Sequence, residues 1–184
     1  MITLYDRTWL IGNMLPKPKD GVLYNVLDAC TKFIDPTLKE TCWERNCILT
    51  TWDIEPEVRH PRDVGAIRKV DLRYAPLDKQ FDIVICSDTL EHIDRYELVL
   101  DNLGKLVVLG GLLYLHVPAL RAWYTWDNHS KIDPTKNHHR HEWNYAPRKL
   151  RQEVIDRGFI SVLELHGFDE PGVPIGFMFI GRKT

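Results

Sequence analysis

Phe81-Asp-Ile-Val-Ile-Cys-Ser87-Asp-Thr-Leu-Glu-His-Ile93 is the stretch whose reading decides the fold. Its first seven residues are nearly continuously apolar, the pattern of a strand buried on both faces of a parallel sheet. Downstream, Ile93, Tyr96, Leu100, Leu103 and Val107 step by three and four, with acids and Lys105 elsewhere on the wheel, which predicts an amphipathic helix. Gly110-Gly111 is expected to stop that helix ahead of another strand, Leu112-Leu-Tyr-Leu-His-Val117.

Upstream, Tyr24-Asn-Val-Leu-Asp-Ala29 and Cys47-Ile-Leu-Thr-Thr-Trp-Asp53 read as strands closed by acids. Between them, Asp35-Pro36 supplies an N-cap and a first-turn proline for a short helix to about Arg45. Val70-Asp71-Leu72 reads as the tail of a brief third strand. Toward the C-terminus, Pro147 opens a helix carrying Leu150, Val154 and Ile155, and Gly158 ends it. Phe159 to His166 and Ile175 to Arg182 then form a hairpin around Pro171-Gly172. Strands alternating with helices before a closing hairpin predict an α/β chain: a Rossmann-like three-layer sandwich whose mostly parallel, seven-stranded sheet ends in an antiparallel hairpin.

At 184 residues the chain is expected to be one domain over 1–184. A 44% apolar content suffices for a core, which excludes a disordered chain. With 24 Lys+Arg against 26 Asp+Glu, the chain lacks the basic excess of a nucleic-acid footprint, so a polynucleotide partner is disfavoured. The longest uncharged run, Leu106 to Leu120, is too short for a membrane span, and the first residues carry no secretory pattern. Cys30, Cys42, Cys47 and Cys86 have neither CxxC spacing nor disulfide density, so free thiols and a cytoplasmic location are the default.

In an open parallel sheet, ligands bind beyond the carboxyl ends of the strands. Asp28, Asp53 and Asp71 stand there, with Ser87-Asp88 and His116 to Pro118 further along. A carboxylate ending the second strand suits both hydroxyls of a ribose. A single strand-end acid can equally be solvated or capping a helix; three in succession favour a nucleoside ligand.

The ordered series Asn25-Val-Leu-Asp28, Asp53-Ile-Glu-Pro56, Asp71-Leu72, Phe81 to Ile93, Leu109-Gly-Gly to Pro118 and Arg148 to Phe159 resembles the class I S-adenosylmethionine-dependent methyltransferases, from about Tyr24 to Lys183. The resemblance implies S-adenosyl-L-methionine as cofactor. It implies that Asp28 orders the loop around the methionine part and Asp53 holds the ribose. By the same resemblance Asp71 with the Leu72 backbone reads the adenine edge, and Ser87 lies under the sulfonium, with Cys30, Lys32 and Ile54 as further cofactor contacts. His92 would face the methyl-transfer pocket. The sequence departs from the family at Asp28-Ala-Cys-Thr-Lys-Phe33, where members carry a glycine-rich turn. A Cβ at a close-approach position obstructs a ligand or reroutes the loop, while Lys32 could meet the cofactor's carboxylate.

The implied reaction is transfer of a methyl group to N or O of a small-molecule acceptor. His92 and His141 are the candidate catalytic bases. Residues 119–146 concentrate Trp123, Tyr124, Trp126, Trp143, Tyr145 and four of the eight histidines. They are expected to form an acceptor-binding insert, with Trp123, Trp126, His139 and Trp143 lining it; the same aromatics could instead pack a mini-core. His138, His139 and His141 match no standard metal spacing, so no metal is assigned. In a strand His139 and His141 would share a face. The contrasting reading, from the glycine-free loop, is a catalytically inactive methyltransferase-like scaffold. Oligomeric state is open, and a partner subunit could complete the pocket.

Overall fold

The computed structural model describes residues 12–14, 22–30, 36–54, 67–118, 130–131, 142–170 and 173–184. In chain order the elements are β1 (Tyr24–Ala29), α1 (Pro36–Glu44), β2 (Cys47–Asp53), β3 (Ile67–Lys69), β4 (Phe81–Ser87), α2 (Tyr96–Leu106), β5 (Val107–Pro118), β6 (Ser130–Lys131), β7 (Trp143–Asn144), α3 (Pro147–Ile155), β8 (Phe159–Glu170) and β9 (Val173–Lys183). Single 3-10 turns follow β3 (Leu72–Tyr74) and β4 (Leu90–His92).

Seven strands form one sheet in the order β3-β2-β1-β4-β5-β9-β8; β6 and β7 form a separate two-stranded ladder. Strands β1 to β5 run parallel, and β9 pairs antiparallel with both β5 and β8. The expected mostly parallel sheet with a closing hairpin is what forms.

Strand alternation divides the core into two layers. On one side Leu27, Val84, Leu113 and Leu115 meet α2 through Val99, Leu100 and Leu103, and α3 through Leu150 and Val154. On the other, Val26, Ile83, Ile85, Leu112 and Tyr114 meet Leu38 and Cys42 of α1. Each fully buried leucine here stabilises the fold by about 1.5–3 kcal/mol relative to exposure. The helix ends follow local chemistry: Asn46 adopts φ 51 after α1, and Gly158 adopts φ 86 after α3.

Two boundaries differ from expectation. The third strand ends at Lys69, so Asp71 and Leu72 belong to the turn beyond it, with Asp71 as its N-cap. Gly110-Gly111 does not stop α2, because β5 starts at Val107, which already pairs with Phe81. The β-branched Val107-Val108 pair takes extended backbone, and the ladder then bulges before resuming at Ile83 and Leu112. Gly110 turns the bulge at φ 78. At Gly111 a Cβ would lie 2.8 Å from the Asp82 carbonyl and 2.9 Å from Val107 Cγ1. Gly111→Ala is therefore expected to cost about 1–3 kcal/mol, read by calorimetry as a melting point lower by about 2–10 °C. An unchanged melting point would mean the bulge opens freely.

Candidate functional site

The period of two that builds the core also sorts the polar strand ends. Val26, Leu49, Ile85 and Tyr114 lie on the α1 side, so Asp28, Asp53, Ser87 and His116 face that same side at the carboxyl edge. All four are buried. Register brings them together across the sheet: Asp28 pairs with Thr51 and Ile85, and Ser87 with His116.

Cys30 begins the turn after β1 at φ 63, with its N–H donating to the Trp52 carbonyl at 2.7 Å. A non-glycine residue thus holds the left-handed backbone that a glycine would adopt freely. Burial, then the carboxylates of Asp53 and Asp28, push the Cys30 thiol up to about 12, so it stays protonated beside those acids. Lys32 lies outside the described residues. Ile54, directly after Asp53, is exposed.

Asp71 is engaged by Arg73, two residues along the chain. Its carboxylate accepts from the Arg73 backbone N–H at 2.9 Å and from Arg73 Nε and Nη2 at 3.0 and 2.8 Å. Those bonds hold it below the usual carboxylate range. The Leu72 side chain is core, and its carbonyl accepts from Asn102 Nδ2 at 2.8 Å. A cofactor reaching Asp71 would therefore share its carboxylate with a guanidinium, a competition that residue spacing does not reveal.

The 3-10 turn after β4 carries Leu90, Glu91 and His92. Tyr145 Oη donates to the Leu90 carbonyl at 3.0 Å, and the Glu142 N–H donates to the Glu91 carbonyl at 2.5 Å, pinning the turn to the chain around β7. Glu91 is 1% exposed and its Oε2 has no hydrogen-bond partner among the described residues. Burial, with a smaller push from Asp88, raises its carboxyl to about 8. His92 has a side chain 44% exposed, and its Nε2 lies 3.8 Å from Glu91 Oε1.

Beside this turn lies a contact that residue spacing does not signal. His116 Nδ1 lies 2.9 Å from Asp88 Oδ1, and Ser87 Oγ donates to Asp88 Oδ2 at 2.8 Å. His116 was legible only as a strand-end residue; nothing local pairs it with Asp88.

Of the acceptor-side residues, Trp143 makes packing contacts. It is partly buried against the α2/α3 layer, its ring meets Tyr96 edge-on at 5.3 Å, and its indole N–H donates to the Asp94 carbonyl at 3.3 Å. Tyr145, fully buried and edge-on to Tyr96, belongs to the same cluster. Trp123, Trp126, His139 and His141 lie outside the described residues. Among the described residues, no group of three or more His, Cys, Asp or Glu could hold a metal, and no helix is long and apolar enough to cross a membrane.

The sequence matches the family model for a methyltransferase domain over residues 20–169. The chain belongs to that family. Solved structures agree on the architecture of the methyltransferase domain. The 1,6-didemethyltoxoflavin N1-methyltransferase of Burkholderia thailandensis, solved with 1,6-didemethyltoxoflavin and S-adenosylhomocysteine, superposes at a TM-score of 0.69 and 17% identity, over 97% of this chain and 77% of that one. The TehB-like S-adenosylmethionine-dependent methyltransferase of Corynebacterium glutamicum gives 0.65 at 14% identity, over 99% and 89%. The N-methyltransferase NodS of Bradyrhizobium japonicum, with S-adenosyl-L-homocysteine, gives 0.64 at 15%, over 97% and 85%. No curated protein sequence matches the chain. The expected methyltransferase family and Rossmann-like fold are thus borne out.

Proposed function

We propose that this methyltransferase domain, spanning 1–184, binds S-adenosyl-L-methionine and methylates N or O of a small-molecule acceptor in the cytoplasm. The observation that carries the reading is the set of buried Asp28, Asp53 and Ser87 on one face of the carboxyl edge, beside a left-handed turn at Cys30. That donor set fits the cofactor: Asp53 would accept the ribose hydroxyls, and Asp28 with the Cys30 turn and Lys32 would flank the methionine end. Ile54 and Leu72 would border the adenine with Asp71, whose carboxylate stays shared with Arg73. When bound, the cofactor supplies an electrophilic methyl group. The protein aligns the acceptor and excludes water.

The left-handed Cys30 also bears on the scaffold alternative, because the turn forms without glycine. Acceptor recognition falls to the insert 119–146, with Trp123, Trp126 and His139 as its wall, Trp143 as its anchor to the core, and His92 and His141 as its imidazoles. A small acceptor agrees with the near-zero net charge of −2 and with the small molecule bound by the Burkholderia relative. Calorimetric titration tests the cofactor: S-adenosylmethionine and S-adenosylhomocysteine should give saturable, mutually competitive heats. No heat or competition at ~1 mM ligand, the level of about −4 kcal/mol of binding, would overturn the reading.

A further inference from the structure

The geometry points to His116 as the base that takes the acceptor's proton, with Asp88 as the residue that positions it; this rests on the methyltransferase reading above. Asp88 adopts φ 51, a left-handed conformation that aspartate tolerates better than most residues. It is held there by its own N–H donating to the His116 carbonyl at 3.1 Å and by Ser87 Oγ donating to Oδ2 at 2.8 Å. Its remaining oxygen, Oδ1, sits 2.9 Å from His116 Nδ1. A carboxylate fixed on Nδ1 selects the tautomer protonated there, which leaves the Nε2 lone pair to receive a proton.

The surroundings suit the role. The His116 side chain is 8% exposed whereas that of Asp88 is 53% exposed, so the pair bridges the buried strand end and its solvent rim. His116 is in register with Ser87, the residue expected nearest the reacting methyl. Asp88 is the acid facing the imidazole from the β4 side. Across the β9 ladder its partner is the uncharged Met178. The Leu90–His92 turn, which packs on β5, brings Glu91, whose carboxyl is raised to about 8, and His92. In the step, the acceptor's N or O forms the bond to the methyl carbon, the carbon–sulfur bond breaks with its electron pair going to sulfur, and the acceptor's proton passes to Nε2. The sulfonium becomes a neutral thioether and His116 becomes an imidazolium stabilised by Asp88.

Two arms test this on the full chain. In the first, isotope-labelled histidines are titrated by NMR from about pH 5 to about pH 9, with and without S-adenosylhomocysteine. Neutral His116 should carry its proton on Nδ1, and Asp88→Ala should shift the tautomer balance toward Nε2. An Nε2-protonated tautomer in wild type, or a tautomer balance unmoved by Asp88→Ala, would overturn the proposal. In the second, tritiated methyl transfer is measured to a panel of phenols and primary aromatic amines. His116→Gln should slow it about 100-fold or more and flatten the acid limb of the pH profile, while the heat of S-adenosylhomocysteine binding stays unchanged. Equal rates in the two proteins would sink the idea. If wild type methylates no member of the panel, the NMR arm alone decides. If it takes up no S-adenosylhomocysteine, the functional reading fails, whereas the tautomer of the free protein still decides the dyad.

Discussion

Asp53→Ala is expected to weaken S-adenosylhomocysteine binding about 100-fold or more, because two charge-assisted hydrogen bonds of about 1.5–3 kcal/mol each are lost together. The carboxylate is buried at the carboxyl end of β2 and lies close enough to Cys30 to raise its thiol. One of its tertiary contacts is made by the main chain, where the Val70 N–H donates to the Asp53 carbonyl at 2.8 Å. Removing the side chain leaves that bond in place, and circular dichroism and a cooperative melt check that the variant is folded. Adenosine should lose affinity by a similar factor, because the missing contacts are to the ribose, whereas methionine should not. Calorimetry on the three ligands checks the pattern. An Asp53→Ala protein that binds S-adenosylhomocysteine within about threefold of wild type, a difference under ~0.7 kcal/mol, would remove Asp53 from the cofactor site.

Glu91 produces the second large effect, on stability and its pH dependence. Its carboxyl is raised from 4.5 to about 8 in the folded chain, chiefly by burial. Between those values the native protein holds a proton that the unfolded chain has released. Stability is therefore highest below the unfolded value and falls as pH rises toward the folded one, by about 1.4 kcal/mol per pH unit at most. Across the window the loss is on the order of 3–5 kcal/mol, beyond which the dependence levels off. Glu91→Gln keeps the shape and removes the titration. Relative to that variant, wild type should lose on the order of 6–15 °C in melting temperature across the window. Subtracting the two pH series also cancels every contribution common to both proteins. Parallel curves for the two proteins would show that Glu91 is ionised in the fold and that its Oε2 finds a partner.

Much of the architecture was legible from local pattern. The continuous run Phe81 to Ser87, the three-and-four spacing through Leu103, and Pro147 with Gly158 each express a constraint that operates within one element: burial on two faces, helical periodicity, or a fixed φ. The strand-end acids were legible for the same reason, since Asp28 and Asp53 close apolar runs. Errors arose where two local signals competed. Gly110-Gly111 looks like a helix stop, yet the valines before it had already joined a ladder with Phe81. Asp71 looks like a strand end, yet the strand stops at Lys69 and the acid caps the following turn.

The roles of the polar groups were settled across the sheet. Asp88 and His116 are brought to 2.9 Å by the β4–β5 register, and Arg73 claims Asp71 through a guanidinium that also reaches Asp94 at 2.9 Å. Trp143 is turned into the α2/α3 layer by Tyr96 and the Asp94 carbonyl. Glu91 has an unremarkable place in the sequence and becomes a raised, buried acid only when Tyr145 and Glu142 close over its turn. Periodicity is a property of neighbours along the chain, so the order of elements and the edge where the acids gather could be read one residue after another. Hydrogen-bond partners and desolvation depend on which distant segment packs where, and here that is decided by the register of parallel strands whose crossovers carry no pairing information of their own.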